Sequence, residues 1–319
     1  MKKLLAIGEA LIDFIPGQTG CRLKEVESFS PNVGGAPANV CGVFSKLGGE
    51  SEMITQLGDD AFGDKIVGEL EKYGIGCDKI LRTDKANTCL AFVSLREDGG
   101  RDFSFYRKPS ADMLYDPANI RPEWFENCFA LHFCSVSLGE YPMKEAHLRA
   151  IDCAAKSGAL ISFDPNIRLQ LWEDKELLRR TVNEFLPYAN ILKISDEELE
   201  FITGTNDIEK AKDILLRGAA ELLIYTKGSG GAEAYTKTAS AASPCADAAA
   251  IDTTGAGDAF IGACLHKLAV WDTTPENVAE LDRDRLKEIL DFANSYCGIS
   301  VTRHGALPSY PDLTELNSR

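Results

Sequence analysis

The sequence predicts an α/β fold: a mainly parallel central sheet with helices on both faces, and a small β-sheet lid. Three observations predict it. Short runs that are apolar throughout read as strands buried on both faces. Longer segments of helical period separate them, and that alternation is the pattern of parallel α/β sheets. Two β-rich stretches fall outside the alternation and have the look of a flap.

The first strand is Leu4–Gly8. Met1-Lys2-Lys3 followed by Leu4–Ile7 resembles the opening of a signal peptide, but Gly8-Glu9 and Asp13 interrupt the apolar run, so a strand is expected. Residues Phe14–Pro31 form a short, turn-rich stretch without helical period. Helices are expected at Ala36–Leu47 and Asp60–Tyr73. Thr88–Leu95 and Arg101–Arg107, separated by Glu97-Asp98-Gly99-Gly100, read as a hairpin that joins Phe14–Pro31 in a flap or forms an extra edge of the main sheet. Further strands follow at Leu131–Cys134, Leu160–Asp164, Ile191–Ile194 and Leu222–Thr226. The helices between and after them are Met143–Lys156, Asp174–Leu186, Asp207–Arg217, Gly255–Leu268 and Arg283–Gly298. Lys237–Ala250, rich in Ala and Ser, reads as a loose loop or poor strand. No linker or internal repeat divides the chain.

Composition narrows the function. The chain has 319 residues, is 45% hydrophobic and carries a net charge of −15, which repels a phosphate backbone or anionic lipid, so no nucleic acid or membrane partner is expected. Its longest apolar stretch, Ile261–Trp271, is broken by His266-Lys267 and is too short to span a bilayer. The 10 cysteines are scattered without C-x-x-C spacing, which fits free thiols in a reducing cytoplasm. The histidines at 132, 147, 266 and 304 match no ligand spacing.

In an open α/β sheet, ligands gather at the carboxyl ends of the strands. The most informative stretch is Asp252-Thr253-Thr254-Gly255-Ala256-Gly257-Asp258, a glycine turn running into an apolar helix. Free N–H groups at a helix start attract an anion, glycines admit a phosphoryl group, and Asp258 sets a carboxylate beside it. That pairing suits phosphoryl transfer: a base takes a hydroxyl proton while amides hold developing charge. Taken alone, Asp258 equally complements a helix dipole. The chain has no Gly-Lys dipeptide for a Walker loop, and Phe260 stands where a dinucleotide fingerprint needs Gly or Ala. A second glycine turn, Asn32-Val33-Gly34-Gly35-Ala36-Pro37-Ala38-Asn39, also opens a helix. Asn39 donates and accepts, as sugar hydroxyls require, and Asp13 can accept from two vicinal hydroxyls; tight packing of a turn is the alternative.

With these residues in view, the chain resembles the ribokinase-like (PfkB) carbohydrate kinases, on Gly34–Asn39 and Asp252–Asp258. It is similar to fructokinases on Phe103–Asp112, Phe163–Arg168 with Leu171-Trp172, Leu192–Leu199 and Phe292-Ala293-Asn294. The resemblance implies one domain over 1–319, with a lid from 14–33 and 86–111. It implies Asp258 as the base and Gly255, Ala256 and Gly257 as the anion hole. Sugar contacts would fall on Asp13, Gly34, Gly35, Asn39, Phe105, Arg107 and Arg168. ATP contacts would fall on Lys193, Ser195, Thr226, Gly228, Gly231 and Asn294. Glu198, in Ser195-Asp196-Glu197-Glu198 where many relatives have N-x-x-E, would serve the magnesium (Mg2+) water shell. A potassium (K+) site would use Asp252 and Thr254 with carbonyls of Ser300, Arg303, Gly305 and Ser309. The implied activity is ATP-dependent phosphorylation of D-fructose at C6, in a homodimer joined through the lid. The rivals are a 2-keto-3-deoxygluconate kinase on the same scaffold and a sugar sensor without catalysis.

Overall fold

The protein is described by a computed structural model over residues 2–18, 20–95 and 101–318; the turn expected at Glu97–Gly100 and the side chain of Phe103 lie outside this description. The order of elements is β1 (Lys3–Ile7), β2 (Leu11–Pro16), β3 (Phe29–Gly34), α1 (Ala36–Lys46), β4 (Ser51–Gly58), α2 (Ala61–Lys72), β5 (Ile75–Gly76), β6 (Ile80–Thr83), β7 (Leu90–Leu95) and β8 (Arg101–Tyr106). There follow β9 (Cys128–Cys134), α3 (Pro142–Lys156), β10 (Leu160–Asp164), α4 (Lys175–Phe185), β11 (Ile191–Ser195), α5 (Asp196–Thr203), α6 (Ile208–Leu215) and β12 (Leu222–Thr226). The last are β13 (Ala232–Tyr235), β14 (Ser240–Ser243), α7 (Ala256–Val270), α8 (Arg283–Ser300) and α9 (Leu313–Asn317).

Among the described residues a ten-stranded sheet runs β14-β13-β12-β11-β10-β9-β1-β4-β5, with β6 beside β4. Pairing is parallel from β12 across to β4, and among the described strands of this sheet only β13 is reversed, paired antiparallel with both β12 and β14. Strand alternation divides the apolar side chains between two cores. Leu4 and Ala6 join Val40, Leu265 and Leu286 on the face covered by α1, α7 and α8; Leu5 and Ile7 join Met143, Leu178 and Leu199 on the other. The strands therefore read as continuous apolar runs because both sides are covered.

The flap is a separate sheet. Strands β3-β2-β7-β8 form it, so the alternative of an extra edge on the main sheet is set aside. Its two faces differ. Leu11, Ala91 and Phe105 pack together on one, with Asp13 opposite Ala91 in register. Phe14 and Phe92 stack at 4.5 Å on the other, flanked by Phe29 and by Tyr106. Strand β4 was not legible beforehand because Ser51, Glu52, Thr55 and Gln56 break its apolar run. The Lys237–Ala250 stretch holds the edge strand β14, a poor strand as expected.

Candidate active site

Since the central strands are parallel, their carboxyl ends lie along one edge of the sheet. That edge collects Gly8-Glu9 after β1, Ser135–Ser137 after β9, Asp164 at the end of β10, Ser195 at the end of β11 and Thr226 at the end of β12. Both glycine turns open helices, α1 and α7, and these helices pack together. The result is a contact across 219 positions: Asn39 Nδ2 donates to Asp258 Oδ2 at 2.7 Å, with both side chains buried.

A glycine that the motif reading passed over makes this contact reachable. Gly262 lies one turn beyond Asp258, and Val43 one turn beyond Asn39; a Cβ at Gly262 would sit 2.7 Å from the Val43 Cβ. The absent side chain sets the spacing of α1 and α7. Gly262→Ala is therefore expected to destabilise by about 1–3 kcal/mol through overpacking and to lower turnover by parting Asn39 from Asp258. Adding Val43→Ala is expected to restore both. Thermal melts and kcat on the two variants check this; a Gly262→Ala protein with unchanged turnover would contradict it.

Burial raises the Asp258 carboxyl above its ordinary value, opposed by the Asn39 hydrogen bond and then by the charges of Arg168 and Lys193. A buried carboxylate with one neutral donor is a stronger base than one in water. Gly255 has φ 74°, and a Cβ there would lie 2.5 Å from the Tyr310 hydroxyl, which donates to the Gly255 carbonyl at 3.1 Å. Ala256 N–H donates to the Thr253 carbonyl at 3.1 Å within the turn. The next first-turn amides, Gly257 among them, have no acceptor within the helix, as at any helix start. A Cβ at Gly257 would lie 3.3 Å from Lys193 Nζ, so a cation flanks the start of α7.

Lys193 is buried within β11 and pairs with Asp164 Oδ2 at 3.0 Å. Against the cost of burial, the carboxylates of Asp164, Glu198 and Asp258 hold it charged, while burial pushes Asp164 up to about 7 with Lys193 opposing. Glu198 is buried at the start of α5. Its Oε2 accepts from Ser195 N and Oγ, both at 2.9 Å, closing a capping box on α5; its Oε1 accepts from Ile167 N at 2.7 Å. Glu198 thus ties the 164–168 loop to the helix start.

On the lid side, burial raises Asp13 to about 6, with Arg168 opposing and Asp258 and Glu9 adding to the rise. The Gly34 backbone lies against the Asp13 carboxylate, and Gly35, at φ 113°, would place a Cβ 2.5 Å from the Glu9 carbonyl oxygen. Gly35 admits no side chain, and at Gly34 the Asp13 carboxylate would have to move aside. Arg168 is exposed, its Nη1 bonded to the Ile167 carbonyl at 3.1 Å, and its charge faces both Asp13 and Asp258. Phe105 is partly buried against Leu11 and Ala91 on the same lid face. Arg107 is buried, donating to the Val136 carbonyl at 2.9 Å and pairing with Asp112.

The expected nucleotide residues follow β11 and β12 and lie on α8. Thr226 ends β12 and leads into a 3-10 turn at Gly228–Gly230, closed by Lys227 N donating to the Gly231 carbonyl at 2.8 Å; Gly231 has φ 83°. Asn294 is buried on α8 with Nδ2 donating to Ser243 Oγ at 2.9 Å. Asp252 clamps two loops, accepting from Thr254 N and from Gly305 N, both at 2.9 Å. Beside them Ser300 Oγ donates to the Cys297 carbonyl, Arg303 pairs with Glu315, and Ser309 Oγ donates to the Ala306 carbonyl at 2.8 Å.

Comparison with known proteins gives a consistent picture. The description of pfkB family carbohydrate kinases matches residues 1–313. A probable fructokinase-4 of Arabidopsis thaliana is 39% identical over 316 residues, 99% of this chain and 95% of the relative. The structure of a fructokinase with bound ATP from Xylella fastidiosa superposes with TM-score 0.91 at 34% identity, over 99% of this chain and 97% of that one. A double mutant of the fructokinase from Vibrio cholerae O395, in a fructose, ADP and potassium ion bound form, gives 0.86 at 29% identity over 100% and 98%.

Proposed function

The chain belongs to the pfkB family of carbohydrate kinases, and we propose that within it the enzyme moves the γ-phosphoryl group of ATP to the C6 hydroxyl of D-fructose. The observation that carries this reading is the 2.7 Å bond from Asn39 to Asp258, which joins the sugar-side turn to the base. Asp258 accepts the proton of the C6 hydroxyl as its oxygen bonds to the γ-phosphorus and the bond to the ADP oxygen breaks. The Asn39 amide fixes which carboxylate oxygen is occupied, leaving Oδ1 for the hydroxyl. The amides around Gly255, Ala256 and Gly257, with Lys193 beside them, hold the charge that develops on the phosphoryl oxygens. Asp13, Gly34, Gly35, Asn39 and Phe105 bind the sugar, and Arg168 closes over it. Ser195, Thr226, Gly228, Gly231 and Asn294 line the ATP side; ATP as the nucleotide is supported by the ATP-bound fructokinase of similar fold.

Magnesium screens phosphate charge in such transfers and keeps most of its own waters. Both Glu198 oxygens already accept protein hydrogen bonds, which fits contact through those waters rather than direct ligation. Asp252, by drawing Thr254 and Gly305 together, brings the carbonyls of 300–309 near the anion-hole turn, where potassium would steady it. We assign the protein to the cytoplasm on its cysteines, all of them free thiols. Among the described residues no helix is long and apolar enough to cross a membrane. We assign a homodimer to the lid's aromatic face, where Tyr106 is 65% exposed.

Product analysis tests the position of transfer. Carbon-13 NMR of the fructose product is expected to show phosphorus coupling at C6; coupling at C1 would overturn the assignment.

A further inference from the structure

Arg107 follows β8, the last strand of the lid, and is 8% exposed. Its Nη1 donates to the Val136 carbonyl at 2.9 Å, and its Nη2 bonds Asp112 and reaches Ser137 Oγ at 3.2 Å. Ser137 in turn donates to Glu9 Oε2 at 2.7 Å, and Ser110 donates to the other Asp112 oxygen. Four of these groups carry the connection: Glu9 after β1, Ser137 after β9, Arg107 at the lid and Asp112 just beyond it, all buried. The same root is held through the Ala111 backbone, whose N donates to the Asn87 carbonyl at 2.9 Å and whose carbonyl accepts from the Gln56 side-chain Nε2 at 2.8 Å.

Buried ionic networks add little to stability compared with apolar packing, but they allow one arrangement and penalise others, because any shift leaves a charge unpaired. Here the arrangement fixed is that of two half-sites. Asp13 and Phe105 belong to the lid, the latter two residues before Arg107. Gly34 ends the lid strand β3, while Gly35 and Asn39, at the start of α1, belong to the other half, and the Gly35 backbone rests on the Glu9 carbonyl. The Arg107 terminal nitrogens are occupied by protein, leaving Nε as its unpartnered donor.

We infer that Arg107 is a positioning residue: with Glu9, Ser137 and Asp112 it fixes the root of the lid against the carboxyl ends of β1 and β9, and so sets the width of the sugar site. This rests on the sugar-kinase reading above and replaces a direct sugar contact by Arg107 with a structural one. The Ser137 hydroxyl is bonded to Arg107 and Glu9, so its effect on sugar binding passes through the network, whereas the Glu9 charge also acts on Asp13 directly.

The test compares Arg107→Lys, Arg107→Met, Glu9→Gln and Ser137→Ala, with folding checked by near-ultraviolet circular dichroism. Each is expected to raise KM for fructose, about tenfold for Arg107→Lys and more for Arg107→Met, with KM for MgATP within twofold of wild type. Glu9→Gln with Arg107→Lys is expected to raise it by less than the product of the single effects. Amide exchange in β2 and β7, measured without substrate, is expected to quicken in Arg107→Lys. Folded Glu9→Gln and Ser137→Ala proteins with a wild-type fructose KM would overturn the inference. Should the wild type not turn over fructose, the functional reading fails by itself; unchanged exchange in β2 and β7 would then overturn the lid-root inference separately.

Discussion

Asp258→Asn is expected to lower kcat for fructose with MgATP by about 10³-fold, the usual contribution of a positioned general base, while fructose KM changes little. The substitution is close to isosteric, and its amide oxygen can still accept from Asn39, so the sugar-side turn stays in place. What disappears is the proton acceptor. The same change removes a buried charge. Because burial raises the folded-state pKa of Asp258 above its ordinary value, the ionised carboxylate lowers the stability of the fold at neutral pH, and the variant should melt at or above the wild-type temperature. The sign also fixes the pH profile: wild-type kcat falls as pH drops through the raised pKa, and Asp258→Asn lacks that acid limb. A variant that keeps a tenth of wild-type turnover would remove Asp258 from the mechanism. A wild type that binds sugar but turns over no more than the variant would instead describe a sensor.

Asp13→Asn separates binding from stability even more sharply. Loss of a charged acceptor for sugar hydroxyls is expected to raise fructose KM roughly 10–100-fold. The free protein should gain stability. Burial raises Asp13 to about 6, so between its ordinary value and 6 the folded state binds the proton that the unfolded chain releases. Stability from this group is therefore lost as pH rises through that window, and at pH 7 to 8 the ionised carboxylate costs about 1–3 kcal/mol, reduced because the group is only partly buried. The variant should melt a few degrees higher than wild type at pH 8, and the gap should close by about pH 4. Equal melting temperatures at both pH values would show that the fold accommodates the charge without cost.

Much of this site is written locally. Gly34–Asn39 and Gly255–Asp258 announce themselves because glycines at helix starts serve close approach of a ligand. The parts that escaped are those set by distant partners. Gly262 reads as one more small residue in an apolar helix until Val43 is placed against it. Glu9 follows the first strand like any surface acid, and only the fold surrounds it with Ser137 and Arg107. Glu198 shows the opposite relation: its capping role with Ser195 is local at spacing three, yet the bond to Ile167 depends on β10 and β11 lying side by side. Strand β4 escaped because three of its polar residues are satisfied by neighbours, Glu52 by Lys3, Ser51 by the Cys41 carbonyl and Gln56 by the Ala111 carbonyl, contacts no period records.

The most direct test is turnover with MgATP across fructose, 2-keto-3-deoxygluconate, ribose, adenosine, glucose and mannose, read as kcat/KM. The site described here predicts fructose highest by a wide margin, with the neutral polyol held between Asp13 and the Gly34-Gly35 turn. A higher value for the acid sugar would keep the fold and Asp258 but contradict the assignment of the Asp13, Phe105 and Arg168 pocket to fructose.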